Sequence, residues 1–369
     1  MTWAEFHAES EQLAIEAQLV SRSRNPEHAL ALYKRAAESE RKALDQLDVS
    51  KVRTRGITAV SAVALWFKAS EYALAEQLAY SMLADPHIPE FASEELRNLV
   101  QAIWTESSKL KAGVKFIPGQ VMVSVKGGEV VTGGAPLDLI VDKVQTIQSM
   151  FYRTIEFLNG AAHRRAGPPS KELQDSCRPW LFQAAPGSYQ FSVAIQKPAQ
   201  QDFFRQEVVP EQIAQHFLEI VGASSGEDKT ELERLVPDET YRTTFLKLAR
   251  NLAPTGKTFD RIELRASGES RPVGLDAQAR TNINQQLRLK SSQPDTEEAV
   301  AEELRGTLRA VHLDQDWLDV VVEGASMHIV GLKDAVDDVI GPMVNRSVVV
   351  RVVRKSARKL TFVDIELAD

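Results

Sequence analysis

At 369 residues, with 43% apolar and 26% charged side chains, the chain is too long for one ordinary core and too apolar for wholesale disorder. Its net charge of −7 includes no strongly basic third, which argues against non-specific duplex binding, because phosphate neutralisation needs a concentrated cationic face. The single cysteine, Cys177, excludes an internal disulfide framework and a multi-cysteine zinc site, and no window reaches about 18 uncharged apolar residues, the length of a membrane span.

The first hundred residues read as helices. Trp3, Phe6, Leu13, Ala17 and Val20 fall on one face at helical spacing, and Met1 to His7 lack a basic region followed by an apolar run, so a cytoplasmic, non-membrane protein is expected. Asn25-Pro26 then supplies an N-cap with proline at the first helical position, and Ala29, Tyr33, Ala36, Ala43 and Leu47 carry the apolar stripe onward. The segment Pro26-Glu27-His28-Ala29-Leu30-Ala31-Leu32-Tyr33-Lys34-Arg35-Ala36-Ala37 resembles the second helix of a tetratricopeptide repeat, where small residues and one aromatic let paired helices approach closely. A looser copy follows at Trp66, Tyr72, Ala75, Ala79 and Met82, closed by Pro86. It departs from the repeat at Ala79, where a large aromatic is expected, and at Met82, where a small residue is expected. The resemblance implies a helical-hairpin domain over residues 1–112 that docks a protein partner. An ordinary antiparallel bundle with alanine-rich contacts fits the same stripes.

Gly113 and Pro118-Gly119 mark a boundary. Gln120 to Val125 alternates as a strand, and Lys126-Gly127-Gly128-Glu129 is expected to turn it back into Val130 and Val131 as a hairpin. Leu137, Ile140, Val141, Val144, Ile147, Phe151, Ile155 and Leu158 form a long helical stripe after Pro136. Residues 161–169 are a loop by composition. Trp180–Ala184 and Ser188–Gln196 read as paired strands, Pro210–Val221, Lys229–Val236 and Asp238–Asn251 as helices, and Phe259–Ala266 as a strand. Residues 113–290 are thus an α+β domain, and Ser291-Ser292-Gln293-Pro294-Asp295 is the clearest linker.

Local catalytic motifs are weak. Ala253-Pro254-Thr255-Gly256-Lys257-Thr258 ends like a phosphate-binding loop, yet Asn251 stands where the first glycine is needed, with a helix before it and a strand after, the reverse of the required order. Asp260 with Glu263-Leu264-Arg265 is similar to a nuclease metal site, but arginine replaces the lysine that polarises water. The histidines have no ligand spacing, and Cys177 with His163 has no nucleophile signature. No catalytic residue, metal ligand or cofactor is expected.

In the last part of the chain, Leu304–Leu313, Trp317–Glu323 and Met327–Leu332 read as strands, Lys333–Ile340 as a short helix, and Ser347–Lys355 and Leu360–Leu367 as strands. That order resembles the oligonucleotide/oligosaccharide-binding fold, or a small SH3-like barrel, over residues 302–369. Val348, Val350 and Val352 are expected to face inward with Arg351 and Lys355 outward. Asn345 to Val363 holds Arg346, Arg351, Arg354, Lys355, Arg358 and Lys359 with no acidic residue, and Trp317 is the available stacking ring. These seven residues are the candidate binding set.

The fold class is therefore multidomain α+β: N-terminal helical hairpins, an α+β middle domain and a small C-terminal β-barrel. The leading reading is a non-catalytic binding or adaptor protein that reaches a protein partner through its helical region. The alternatives are an effector binding nucleotide or single-stranded nucleic acid through the basic hairpin, and an enzyme whose site is assembled from distant residues.

Overall fold

The structure, a computed structural model, describes residues 2–22, 25–131, 133–182, 189–199, 203–205, 208–266, 272–291, 301–333, 335–356 and 359–368. The chain divides into two compact units, one built on Met1–Val114 and the other on Lys115–Leu181 together with Ser188–Asp369.

Unit 1 contains five helices: α1 (Trp3–Arg22), α2 (Pro26–Asp45), α3 (Val52–Lys68), α4 (Tyr72–Leu83) and α5 (Glu90–Lys111). The Asn25 side chain accepts a hydrogen bond from the His28 N–H at 3.3 Å and caps α2, as the Asn-Pro pair predicts. Each helix packs on the next, and α3 also meets α5. The core includes Ala17, Ala36, Ala59, Ala62, Ala75 and Ala79, all fully buried, so three of the alanines singled out in the second helix and the looser copy, Ala36, Ala75 and Ala79, lie in it. Small residues at these points bring backbones together and spread dispersion contacts along the whole helix.

Unit 2 combines an antiparallel sheet, a helical layer and a closed barrel around one continuous hydrophobic core. Strand β1 (Val121–Lys126) is followed by α6 (Leu137–Leu158), α7 (Lys171–Ser176), β2 (Pro179–Phe182) and β3 (Tyr189–Ile195). A 3-10 turn at Pro210–Gln212 leads into α8 (Ile213–Ser225), α9 (Lys229–Leu235) and α10 (Glu239–Leu252), then β4 (Arg261–Ala266), β5 (Val273–Leu275) and α11 (Ala277–Ser291). The sheet order is β2-β3-β1-β4-β5. Helix α6 occupies the span that its stripe predicts, and its Phe151 stacks on Phe217 of α8 with ring centroids 4.2 Å apart and planes 8° from parallel. The predicted linker lies, after Ser291, outside the described residues.

The expected hairpin from β1 into Val130 and Val131 does not form. Both edges of β1 are taken, by β3 and by β4. Gly127 and Gly128 instead hold left-handed backbone, with φ of 78° and 62°, and turn the chain against the segment entering β4: a Cβ on Gly128 would lie 2.5 Å from the Thr258 carbonyl oxygen. The Glu129 N–H donates to that same carbonyl at 2.9 Å. Val131 pairs only in an isolated bridge with Gly134.

The barrel comprises β6 (Ala301–His312), β7 (Trp317–Val322), β8 (Ala325–Val330), α12 (Asp337–Ile340), β9 (Ser347–Ser356) and β10 (Lys359–Leu367). It closes in the order β10-β8-β7-β6-β9, with β10 and β8 parallel and the other described pairings antiparallel. Val348, Val350 and Val352 are fully buried, as the alternation predicts. The helix is shorter than the sequence suggests, because Lys333 lies in a turn, with the Ala335 N–H donating to the Leu332 carbonyl at 2.8 Å, and Val336 is extended before Asp337.

Candidate functional site

Arginine–carboxylate pairs join the barrel to the helical layer of unit 2. Arg250 of α10, only 1% exposed, donates from Nη1 to Asp364 Oδ2 at 2.5 Å, and from Nη2 to Asp364 Oδ1 at 3.1 Å and the Ile365 carbonyl at 2.6 Å. Arg280 of α11 reaches Glu366 at 2.7 Å. The loop after α6 is fastened in the same way: Arg164 donates to Asp338 at 3.0 Å, Arg165 to Asp316 at 2.8 Å and to the Leu332 carbonyl at 2.9 Å. Asp338 also accepts from Nε of the fully buried Arg153 at 2.6 Å. A charge taken out of water is tolerated only with a close partner of opposite sign, so these pairs fix how the barrel and the helices meet.

Between these fastenings lies a cavity of about 470 Å³. Glu239, Thr240, Thr243, Thr244 and Lys247 line it from one face of α10, since their spacing of one, three or four residues returns to the same side every turn. His163 and Arg165 come from the loop, Leu287 from α11, and Lys333, Ala335 and Val336 from the connection before α12. Arg351 of β9 and Val363 and Asp364 of β10 complete the wall. In a regular strand, Val363 and Asp364 would point to opposite faces. The pairing of β10 with β9 shifts between Phe362 and Asp364, leaving Val363 as the extra residue of a bulge, and the bulge brings both neighbours to the cavity.

The lining is cationic in balance. Arg165, Lys247, Lys333 and Arg351 stand against Glu239 and Asp364. Burial raises the Asp364 carboxyl, but Arg250 behind it and Lys247 beside it outweigh that, so it is held below the usual carboxylate range. Its charge is thus already matched. Lys333 and Arg351 have no hydrogen-bond or ion-pair partner among the described residues.

His163 is pushed down to about 4, first by burial and then by the nearby Arg153 guanidinium, so it is neutral at pH 7. The Thr244 hydroxyl donates to the Thr240 carbonyl at 3.0 Å, which makes it the acceptor for His163 Nε2 at 2.9 Å. The proton therefore sits on Nε2, and Nδ1 is left as an acceptor.

The residues singled out in the sequence fare differently. Arg351 lines the cavity. Arg346 is spent on Asp142 at 2.6 Å, and Asp142 also pairs with the buried Lys143 at 3.2 Å. Arg354 makes a two-pronged pair with Glu302 on neighbouring β6, at 2.8 and 3.0 Å. Lys359 is exposed, the side chain of Lys355 is not among those described, and Arg358 lies outside the described residues. Trp317 sits apart from this set, with ring centroids 5.7 Å from His312 and 5.3 Å from His328. The basic hairpin is thus not gathered into one cluster. Lys247, Lys333, Arg165 and the α10 threonines were not singled out, because nothing in a chain interval of about two hundred residues marks them as neighbours.

The weaker motifs resolve as structure. Residues 253–258 connect α10 to β4, and Glu263 pairs with Lys126 at 2.8 Å and Arg261 at 3.1 Å on the sheet surface. Burial pushes the Cys177 thiol up to about 12, which leaves it inert. Among the described residues no group of three or more His, Cys, Asp or Glu side chains comes together that could hold a metal ion, and no helix is long and apolar enough to cross a membrane. Comparison with protein-family models, curated proteins and solved structures finds no significant match to this chain.

Proposed function

We propose that this is a non-catalytic binding protein whose second unit holds a small anionic ligand in the cavity beside α10, while the helical first unit serves as the docking region for a protein partner. The observation that carries the reading is that two cations, Lys333 and Arg351, have no partner among the described residues, in a cavity whose own carboxylates are outnumbered. Arg351 is half-buried and Lys333 exposed, and an anion in the cavity would make charge-assisted hydrogen bonds to both. The cavity size falls within the range of small-molecule sites, roughly 300–1,000 Å³. Support for the docking role is the alanine-lined helical packing, which resembles tetratricopeptide hairpins.

The test is thermal unfolding of the full chain. Inorganic phosphate is expected to raise the unfolding midpoint, because a ligand that binds only the folded state stabilises it by RT ln(1 + [L]/Kd). Chloride at matched ionic strength should do much less. Arg351→Glu should abolish the phosphate response. A response unchanged by Arg351→Glu, or none to phosphate, sulfate or carboxylates, removes the proposal.

A second reading has its own observation. The strand order, the parallel β8–β10 pair and the helix between the third and fourth strands resemble the oligonucleotide/oligosaccharide-binding fold, and Trp317 lies on β7 between two histidine rings. Single-strand binders of that kind combine stacking rings with a cationic groove. Here Arg346 and Arg354 are already paired with carboxylates, so the small-anion site is favoured.

A further inference from the structure

An anion site could serve carboxylates, sulfate or phosphate, and the lining narrows the choice. One bidentate guanidinium satisfies a monocarboxylate. Lys333 and Arg351 together offer two positive charges with no partner among the described residues, and a phosphate monoester carries about −1.5 to −2 at pH 7. Thr240 adds a hydroxyl with no hydrogen-bond partner among the described residues, whereas the Thr243 and Thr244 hydroxyls donate to helix carbonyls at 2.9 and 3.0 Å.

The rest of the lining does not suit a bare ion. Leu287, Ala335, Val336 and Val363 are apolar, and such surface is covered only by a ligand with an apolar or aromatic body. His163 Nδ1 is an acceptor, which suits a ligand hydroxyl or amine as donor. We infer that the cavity takes a phosphate monoester on an apolar, hydrogen-bonding body, the nucleoside monophosphate class, with the phosphate at Lys333 and Arg351 and the body against Leu287, Val336 and Val363. This rests on the anion-site reading above and makes it specific.

Isothermal titration of the full chain with AMP, GMP, CMP and UMP tests it, with adenosine, inorganic phosphate and an aromatic monocarboxylate of similar size as comparators. At least one nucleoside monophosphate should bind at least tenfold more tightly than adenosine and than inorganic phosphate. Arg351→Gln should weaken it at least tenfold. Lys333→Gln, at an exposed position, gives a second variant with little effect on folding, and it should weaken binding several-fold. If the carboxylate binds in an Arg351-dependent way and no monophosphate does, the anion site stands and the phosphate assignment falls. If no anion binds, both fall. Monophosphate binding that neither variant changes would place the ligand elsewhere and overturn the assignment.

Discussion

Replacing Arg250 with methionine is expected to cost about 3–5 kcal/mol of unfolding free energy, the range for removing one partner of a buried ion pair. The cost arises less from the lost attraction than from what remains. Asp364 would keep its burial and lose both hydrogen bonds from the guanidinium, and the Ile365 carbonyl would lose its donor at 2.6 Å. Arg250→Met/Asp364→Leu should recover most of the loss, since an apolar pair of similar volume leaves no uncompensated charge. Acid makes the same point. In the native protein the Asp364 carboxyl is depressed, so its contribution is fully present above its unfolded value of about 3.9 and is lost as pH falls through the lower folded value. In Arg250→Met, burial acts on Asp364 without that counterweight, its carboxyl rises above the unfolded value, and the gap in stability to the native chain should narrow as pH falls and Asp364 takes up a proton. Urea unfolding followed by circular dichroism between pH 3 and pH 7 measures both effects. A single variant as stable as the native chain would show that the pair does not hold the seam.

Phe217→Ala is expected to cost a further, independent 3–5 kcal/mol or so, the usual range for truncating a buried phenylalanine. Phe217 is fully buried and stacked on Phe151, and the surrounding α6, α8 and α10 are tied down by the sheet and the barrel, so the hole has little room to close. Phe217→Leu should lose distinctly less, because it keeps most of the volume and forfeits mainly the stacking. The same urea titrations separate the two variants. Equal losses for alanine and leucine would mean that stacking geometry, and not filled volume, dominates at this contact.

The core was legible in the sequence and the site was not. Helix α6 could be read because its apolar residues return every three or four positions for its whole length, and the barrel because its strand-like runs come in a recognisable order, with Val348, Val350 and Val352 on one face and Arg351 on the other. Helix α11 escaped notice because it buries little more than Ala279, Ile283 and Gln286 along an otherwise polar sequence. The false hairpin came from reading Gly127-Gly128 as a reversal, when neighbours distant in sequence had already claimed both edges of β1. The cavity draws on positions from His163 to Asp364, and a bulge at Val363 sets part of its wall. Charge runs along the chain pointed to Arg351. They could not separate it from Arg346 and Arg354, whose partners Asp142 and Glu302 become visible only in three dimensions.

The central claim is that Lys333 and Arg351, from two segments of the barrel, act on one bound anion. A double-mutant cycle on phosphate affinity, using Lys333→Gln and Arg351→Gln, tests it most directly. If both side chains address the same ligand, the double variant should depart from the sum of the single effects by about 0.5–3 kcal/mol, as expected of residues sharing a partner. Effects that add to within about 0.3–0.5 kcal/mol would mean that the two cations act separately, and would contradict the account.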